Sequence, residues 1–356
     1  MKRRRPTSRE VARRAGVSRS TVSVVLNDVT RIAIAPETRQ RVLDAARELG
    51  YVPSSAARQL ASGRARTIGL VITYAEHLKT DAFVPQALYS LNEEAHRRGF
   101  RVLVEALEDV TTPDAYQELV RGKQIDGLIV LNPREDDAGL PRLIADGFPV
   151  VVIGHAAAGP QVDVDNVGAA RRATEHLIAS GRRRIAHIPY APLAHHSSAM
   201  RLDGWRAALQ GAGLDAGDTW VEVADFSAES GHRAMAALLR RKAPDAVFAS
   251  NDTVAFGAMT ALREAGLRIP VDVAVVGFDD IPLAAHACPP LTTVRLPAVG
   301  LGHRAAERLI HRIEGRERDP EGGDPDAGDL LATELIVRTS CGATSHGITV
   351  EEAPPG

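Results

Sequence analysis

Few residues in this chain have a type and spacing that catalysis could use. His195-His196 is the one adjacent histidine pair. Neighbours on one segment do not converge on a metal without partners at helical spacing, so they read as pocket-lining or solvated loop residues. Gly300-Leu301-Gly302-His303-Arg304-Ala305 imitates a G-x-G-x-x-A phosphate loop ahead of a helix. It has neither the βαβ frame nor the following acidic residue that such a loop needs. No G-x-S-x-G elbow or P-loop pattern occurs. Cys288 and Cys341 are too few for a disulfide scaffold or a cysteine zinc site, and fit a reducing compartment. The expectation is a protein that is not an enzyme and uses no metal or cofactor.

The chemistry left is the binding of charge. Residues 1–66 hold 15 Lys or Arg and five acids, a balance of +10, against −12 for the rest. A basic head on an acidic body points to a polyanion as partner of the head alone. Lys2–Arg5 could open a signal peptide, but no apolar h-region follows, and no stretch approaches the roughly 20 apolar residues that span a bilayer. The expected location is the cytoplasm, in association with the nucleoid. With 356 residues, 44% of them hydrophobic, the chain is globular and long enough for two or three domains.

The elements that would position the basic head are legible. Thr7-Ser8-Arg9-Glu10 fits a capping box, and Val11, Ala12 and Ala15 give one apolar helical face. Gly16 suits a tight turn, and Ser18 can cap a second helix whose Val22, Val25 and Leu26 face inward. That leaves Arg19, Ser20 and Ser23 on the outer face. Helix, glycine turn and a second helix with polar residues near its start form the helix-turn-helix pattern, whose second helix enters the major groove. A third helix, Pro36–Leu49, would pack through Val42, Ala45, Ala46 and Leu49 and end at Gly50. Ser54 to about Ala61 could form a short helix, marginal in water without a partner.

TSREVARRAGVSRSTVSVVLN at 7–27, followed by GYVPSSAARQLASGRARTIGLV at 50–71, resembles the LacI/GalR family of transcriptional regulators. The resemblance implies that Arg19 and Ser20 read base edges, while Ser18, Thr21 and Asn27 contact phosphate. Thr7 and Ser23 complete the implied DNA-binding set on the head. Leu60 matches the hinge leucine that wedges into the minor groove at the operator centre, flanked by Arg58 and Ala61. Two departures bear on operator sequence: Val24 stands where a basic base-reading residue is common, and the loop Asn27–Pro36 is about two residues longer than usual.

From Thr67 onward short apolar runs alternate with helical patterns. Expected strands are Ile68–Ile72, Val102–Ala106, Gly127–Leu131, Val150–Ile153, Ile185–Ile188, Val221–Val223, Ala246–Ala249, Val273–Gly277 and a final one near Leu331–Val337. Helix-length segments include Pro85–Arg98, Gly168–Ala179, Ala199–Gly211, Gly231–Arg241 and Val254–Ala265. This order predicts an α/β body of two parallel-sheet units, with a ligand site in the cleft between them.

The resemblance extends to about Thr339 and implies a type I periplasmic-binding-protein fold for the body. Its motifs are Arg201-Leu202-Asp203-Gly204-Trp205, Asp225–Gly231, Ser250-Asn251-Asp252, Val275–Asp280 and Pro290–Arg295. Carried over by position, Arg201, Asn251 and Asp279 would hydrogen-bond a polar effector, Phe226 would lie against its flat face, and Phe83 and Thr73 would close the cleft. Such a set suits a sugar, a nucleoside or a related metabolite. A carboxylate that some relatives carry after the fourth strand is absent here, where Gly154-His155 stands.

The organisation expected is a head at 1–52, a hinge and linker at 53–66, an effector-binding and dimerisation body at 67–340 and a flexible tail at 341–356. No heptad follows Thr339, so a homodimer on a pseudo-palindromic DNA operator is expected, the work of a repressor under allosteric control. Two other readings use the same residues. One is a solute sensor whose head contacts something other than DNA; the other is a sugar-modifying enzyme, for which no acid/base pair is placed.

Overall fold

The computed structural model describes residues 6–26, 32–52, 59, 63–80, 82–107, 109–157, 159–316 and 328–342. The chain divides into two compact units, residues 1–66 and 67–356.

The first unit is built on three helices, α1 (Ser8–Ala15), α2 (Arg19–Leu26) and α3 (Pro36–Leu49). The capping box forms as the sequence predicts: the Glu10 amide donates to Thr7 Oγ1, and the Thr7 amide donates to Glu10 Oε2 at 2.7 Å. Gly16 adopts φ +69°, which a residue without Cβ reaches freely, and so turns the chain into α2. Ser18 Oγ accepts from the Thr21 amide at 3.0 Å and caps α2. Val11, Ala12, Ala15, Val22, Val25, Val42, Ala45 and Ala46 form a small core, and Arg14–Glu48 at 2.7 Å ties α1 to α3. Leu49 departs from expectation: it is 37% exposed. Tyr51, just past the helix end at Gly50, packs on the core in its place, with its amide on the Ala46 carbonyl.

The second unit holds two sheets. β1 (Thr67–Ile72), β2 (Arg101–Ala106), β3 (Gly127–Leu131), β4 (Val150–Ile153), β5 (Gln161–Val164) and β10 (Asp329–Leu331) form one sheet in the order β10-β5-β4-β3-β1-β2, all parallel. β6 (Ile185–Ile188), β7 (Ala246–Ala249), β8 (Ala274–Asp279), β9 (Thr292–Arg295) and β11 (Glu334–Ile336) form the other in the order β11-β9-β8-β7-β6, with only β11 antiparallel. The chain crosses between sheets after β5, after β9 and again after β10. The helices are α4 (Ala75–Thr80), α5 (Phe83–Arg97), α6 (Gln117–Arg121), α7 (Gly139–Ala145), α8 (Asn166–Ala179), α9 (His196–Gly211), α10 (Ala228–Arg241), α11 (Asp252–Glu264) and α12 (Ala298–Glu314). Strands such as Gly127–Leu131 are buried along their whole length, as a sheet covered on both faces requires.

Three local differences from the sequence reading have physical causes. Val221–Val223 is no strand: Val221 makes a single bridge to His187, and Val223 is 45% exposed. The run near Leu331–Val337 is split into β10 and β11, which join different sheets. Cys341, placed in the tail by the sequence, is fully buried, with Sγ 3.2 Å from His176 Nε2.

Candidate functional site

On the head, Arg19, Ser20 and Ser23 are exposed on α2, and Thr21 is half-buried. Ser18 Oγ lies 2.6 Å from Ser20 Oγ and 2.9 Å from Thr21 Oγ1, so three hydroxyls cluster at the start of α2. Thr7 Oγ1 is engaged in the capping box. Val24 is half-buried beside this surface. Asn27, Arg58, Leu60 and Ala61 lie outside the described residues.

In the body, a cavity opens between the two sheets, beyond the carboxyl ends of their strands. Phe83, Leu131, Ile153, Leu296 and Leu301 give it an apolar wall. Asn132, Asp163, Asn166, Ser197, Arg201 and Asp279 supply polar groups.

Arg201 is the centre of the polar side. It sits on α9, whose Gly204 lies so close to α8 that a Cβ there would stand 2.2 Å from the Val167 carbonyl. This approach brings Arg201 Nε within 3.0 Å of Asn166 Oδ1 at the start of α8. Nη1 donates to the Ser250 carbonyl at 2.5 Å and lies 3.7 Å from Asp279 Oδ1. The guanidinium covers the Phe278 ring at 3.7 Å, a cation–π contact that fixes its plane. Arg201 and Asp279 are both buried, so a ligand here meets them with water excluded.

Of the six effector residues expected from sequence, Phe83, Arg201 and Asp279 line the cavity. Thr73 and Phe226 stand one contact behind it, and Asn251 is not on its wall. Thr73 Oγ1 donates to the Asn132 carbonyl at 3.0 Å. Phe226 stacks on Tyr74 at 5.0 Å and meets the edge of Tyr190, which itself lines the cavity. Asn251 Oδ1 accepts from the Val254 amide and caps α11, while its buried Nδ2 has no hydrogen-bond partner among the described residues.

The sequence reading missed Asn132, Asp163, Asn166, Tyr190 and Ser197, all on the cavity wall. For the first four the available signal was position, since each falls at the carboxyl end of a strand or just beyond it, whereas Ser197 stands in the first turn of α9. Burial raises the pKa of Asp163, opposed by the Val164 amide and the Arg201 charge. At the cleft mouth His155 and His196 meet edge to face at 5.2 Å, and burial together with the neighbouring His155 lowers the pKa of His196. His195, the other member of the pair noted in the sequence, is buried with its Nδ1 3.4 Å from the Asn132 carbonyl. Among the described residues no group of three or more His, Cys, Asp or Glu could hold a metal ion.

Residues 7–54 match the family model described as bacterial regulatory proteins, lacI family, and residues 174–341 match a periplasmic binding protein-like domain. The HTH-type transcriptional regulator CelR of Thermobifida fusca is 38% identical over 348 residues, covering 95% of this chain and 99% of that one. A solved complex of transcriptional regulator CelR with cellobiose is 35% identical, with a TM-score of 0.71, covering 94% of this chain and 100% of that one. The Lac repressor dimer bound to operator and the anti-inducer ONPF is 28% identical, with a TM-score of 0.81, covering 95% and 99%. With a helix-turn-helix head, a two-sheet body around a polar cleft and relatives matched over nearly their whole length, the chain belongs to the LacI family of DNA-binding transcriptional regulators.

Proposed function

We propose that this regulator is a homodimeric repressor, acting in the cytoplasm on nucleoid DNA, whose operator affinity is set by a small sugar in the body cleft. Arg19 and Ser20 read base edges from α2, with Ser23 beside them. Ser18, Thr21, Thr7 and Asn27 hold the backbone, and Leu60 wedges between central base pairs with Arg58 and Ala61 at its sides. The observation that carries the effector half is the buried Arg201, set between Asp279 and Asn166 and facing an apolar wall. A fork of donors flanked by acceptors opposite an apolar face suits a polyhydroxylated ring. Similarity to a regulator solved with cellobiose supports the same chemistry. The two-fold symmetry expected of a dimer favours a pseudo-palindromic operator.

Selection from a randomised duplex library at fixed salt, with and without cellobiose, tests the proposal. The expected result is a palindrome with a deformable central step, whose binding weakens with the sugar and in Leu60→Ala. Steeply salt-dependent binding without sequence preference would sink the operator reading and leave a solute sensor with a merely electrostatic head.

A further inference from the structure

We propose that Asp163 is a specificity-determining residue of the cleft, accepting from a hydroxyl or ammonium of the effector and turning away anionic, phosphorylated sugars. The inference rests on the reading of the cleft as a sugar site and goes beyond it by fixing the charge of the ligand.

Asp163 is on β5, is buried and lines the cavity. Its Oδ1 accepts from Asn166 Nδ2 at 3.0 Å, and the same Asn166 holds Arg201 through Oδ1. One amide therefore spaces the carboxyl from the guanidinium along a single wall. The charge of Arg201 is already matched by Asp279 at 3.7 Å. An anionic group entering the cavity would find that pair closed and a second carboxyl beside it, repulsive because the carboxyls are buried. A hydroxyl or ammonium meets acceptors instead.

The neighbouring strand explains why the carboxyl comes from β5. Gly154 ends β4 on the cavity wall at φ +110°, a conformation that an aspartate there would hold only under strain. Its amide donates to the Val162 carbonyl at 3.0 Å, so Asp163 follows directly on the paired strand. The acidic group that the Gly154-His155 sequence lacks is thus supplied one strand away.

Calorimetric titration of the full chain with cellobiose, glucosamine and glucose 6-phosphate tests this, on the unaltered protein, Asp163→Asn and Arg201→Ala, with thermal melting as the fold control. Asparagine can still accept from Asn166, so Asp163→Asn keeps the wall; Asp163→Ser serves if it melts early. The unaltered chain is expected to bind cellobiose or glucosamine and to reject glucose 6-phosphate. Asp163→Asn should weaken the former about ten- to a hundredfold, the worth of a charge-assisted hydrogen bond, and narrow the rejection of the phosphate. Unchanged affinities in Asp163→Asn, with binding lost in Arg201→Ala, would overturn the role of Asp163 and leave the cleft reading standing. Preference of the unaltered chain for the phosphate would also overturn it. Failure of the unaltered chain to bind any of the three, or equal binding in all variants, would overturn the cleft reading and this inference together.

Discussion

Asn132 Nδ2 donates to Tyr190 Oη at 3.0 Å, joining the end of β3 in one sheet to the loop after β6 in the other. Ser197 Oγ donates to Asn132 Oδ1 at 2.6 Å and lies 2.6 Å from Tyr190 Oη. With the serine proton committed to Asn132, the tyrosine proton goes to the serine, and the three side chains close a ring in which each donates once and accepts once. The ring lies on the cavity wall, so it is where a ligand of the cleft would meet the angle between the sheets. A ligand that tightens or breaks it shifts the balance between arrangements of the two halves, and any effect on DNA is matched by an equal effect of DNA on the ligand.

Asn132→Ala should therefore act on both stability and effector binding. It removes two buried hydrogen bonds and replaces a residue tolerant of φ +49° by one that is not. A loss of about 2–3 kcal/mol in urea unfolding is expected, together with weaker sugar binding. A loss below about 0.5 kcal/mol would mean that the ring contributes nothing net.

Arg201→Ala should abolish the effector response while operator affinity, measured without sugar, stays within a few-fold. The change also strips Asp279 and the Ser250 carbonyl of the guanidinium, so a loss of about 3–5 kcal/mol is expected in unfolding. Arg201→Lys keeps the charge but cannot reach Asn166, Ser250 and a ligand with one ammonium, and should show an intermediate response. An Arg201→Ala protein that still releases operator on addition of sugar would remove this residue from the effector site.

The contrast between Arg201 and Asp163 shows what the sequence could convey. Arg201 stands in a motif, Arg201–Trp205, that marks a helix and its register. Asp163 is one of two polar residues, with Gln161, in a strand of four, too short for alternation to assign a face, and only the pairing of β5 with β4 and β10 puts it on the wall. β9 escaped notice for a related reason: Thr292 and Thr293 are polar yet fully buried, because their hydroxyls reach the Arg338 carbonyl and Asp252. The head was more legible, since capping boxes, glycine turns and helical faces are local. Among its described core positions Leu49 departs, displaced by Tyr51 from beyond the helix end.

Thr7→Ala tests that local logic. Loss of the capping box at α1 should cost the head about 1 kcal/mol. Hydrogen exchange in the full chain should show faster exchange of the α1 and α3 amides with the body unchanged. Because the hydroxyl is also assigned a backbone contact, operator affinity should fall by a similar amount for every operator sequence tried. A change in sequence preference would contradict the assignment.

Two buried groups give stability opposing slopes with pH. Burial pushes Asp252 up to about 7, opposed by donation from Thr293 Oγ1 and the Ile281 amide. The native carboxyl thus keeps a proton that the unfolded chain releases near its ordinary 3.8. Its stabilisation is whole below that value and is lost as pH rises to about 7. His187 is the reverse: burial between Trp205 and Phe248 holds it down at about 3, against an ordinary 6.5. The stabilisation it contributes is whole above 6.5 and is lost as pH falls toward 3. Each shift is of the order of 4 kcal/mol in full, so between these limits the two largely offset one another. Asp252→Asn removes one slope alone, and an asparagine can accept from Ile281 and donate to Thr293 in the same place. Relative to the parent, the variant should gain stability steadily from pH 4.5 to 7.5, by up to about 4 kcal/mol, in urea unfolding at stepped pH. A difference that does not change with pH would mean that Asp252 is ionised throughout, held by its two donors and the charge of Arg338.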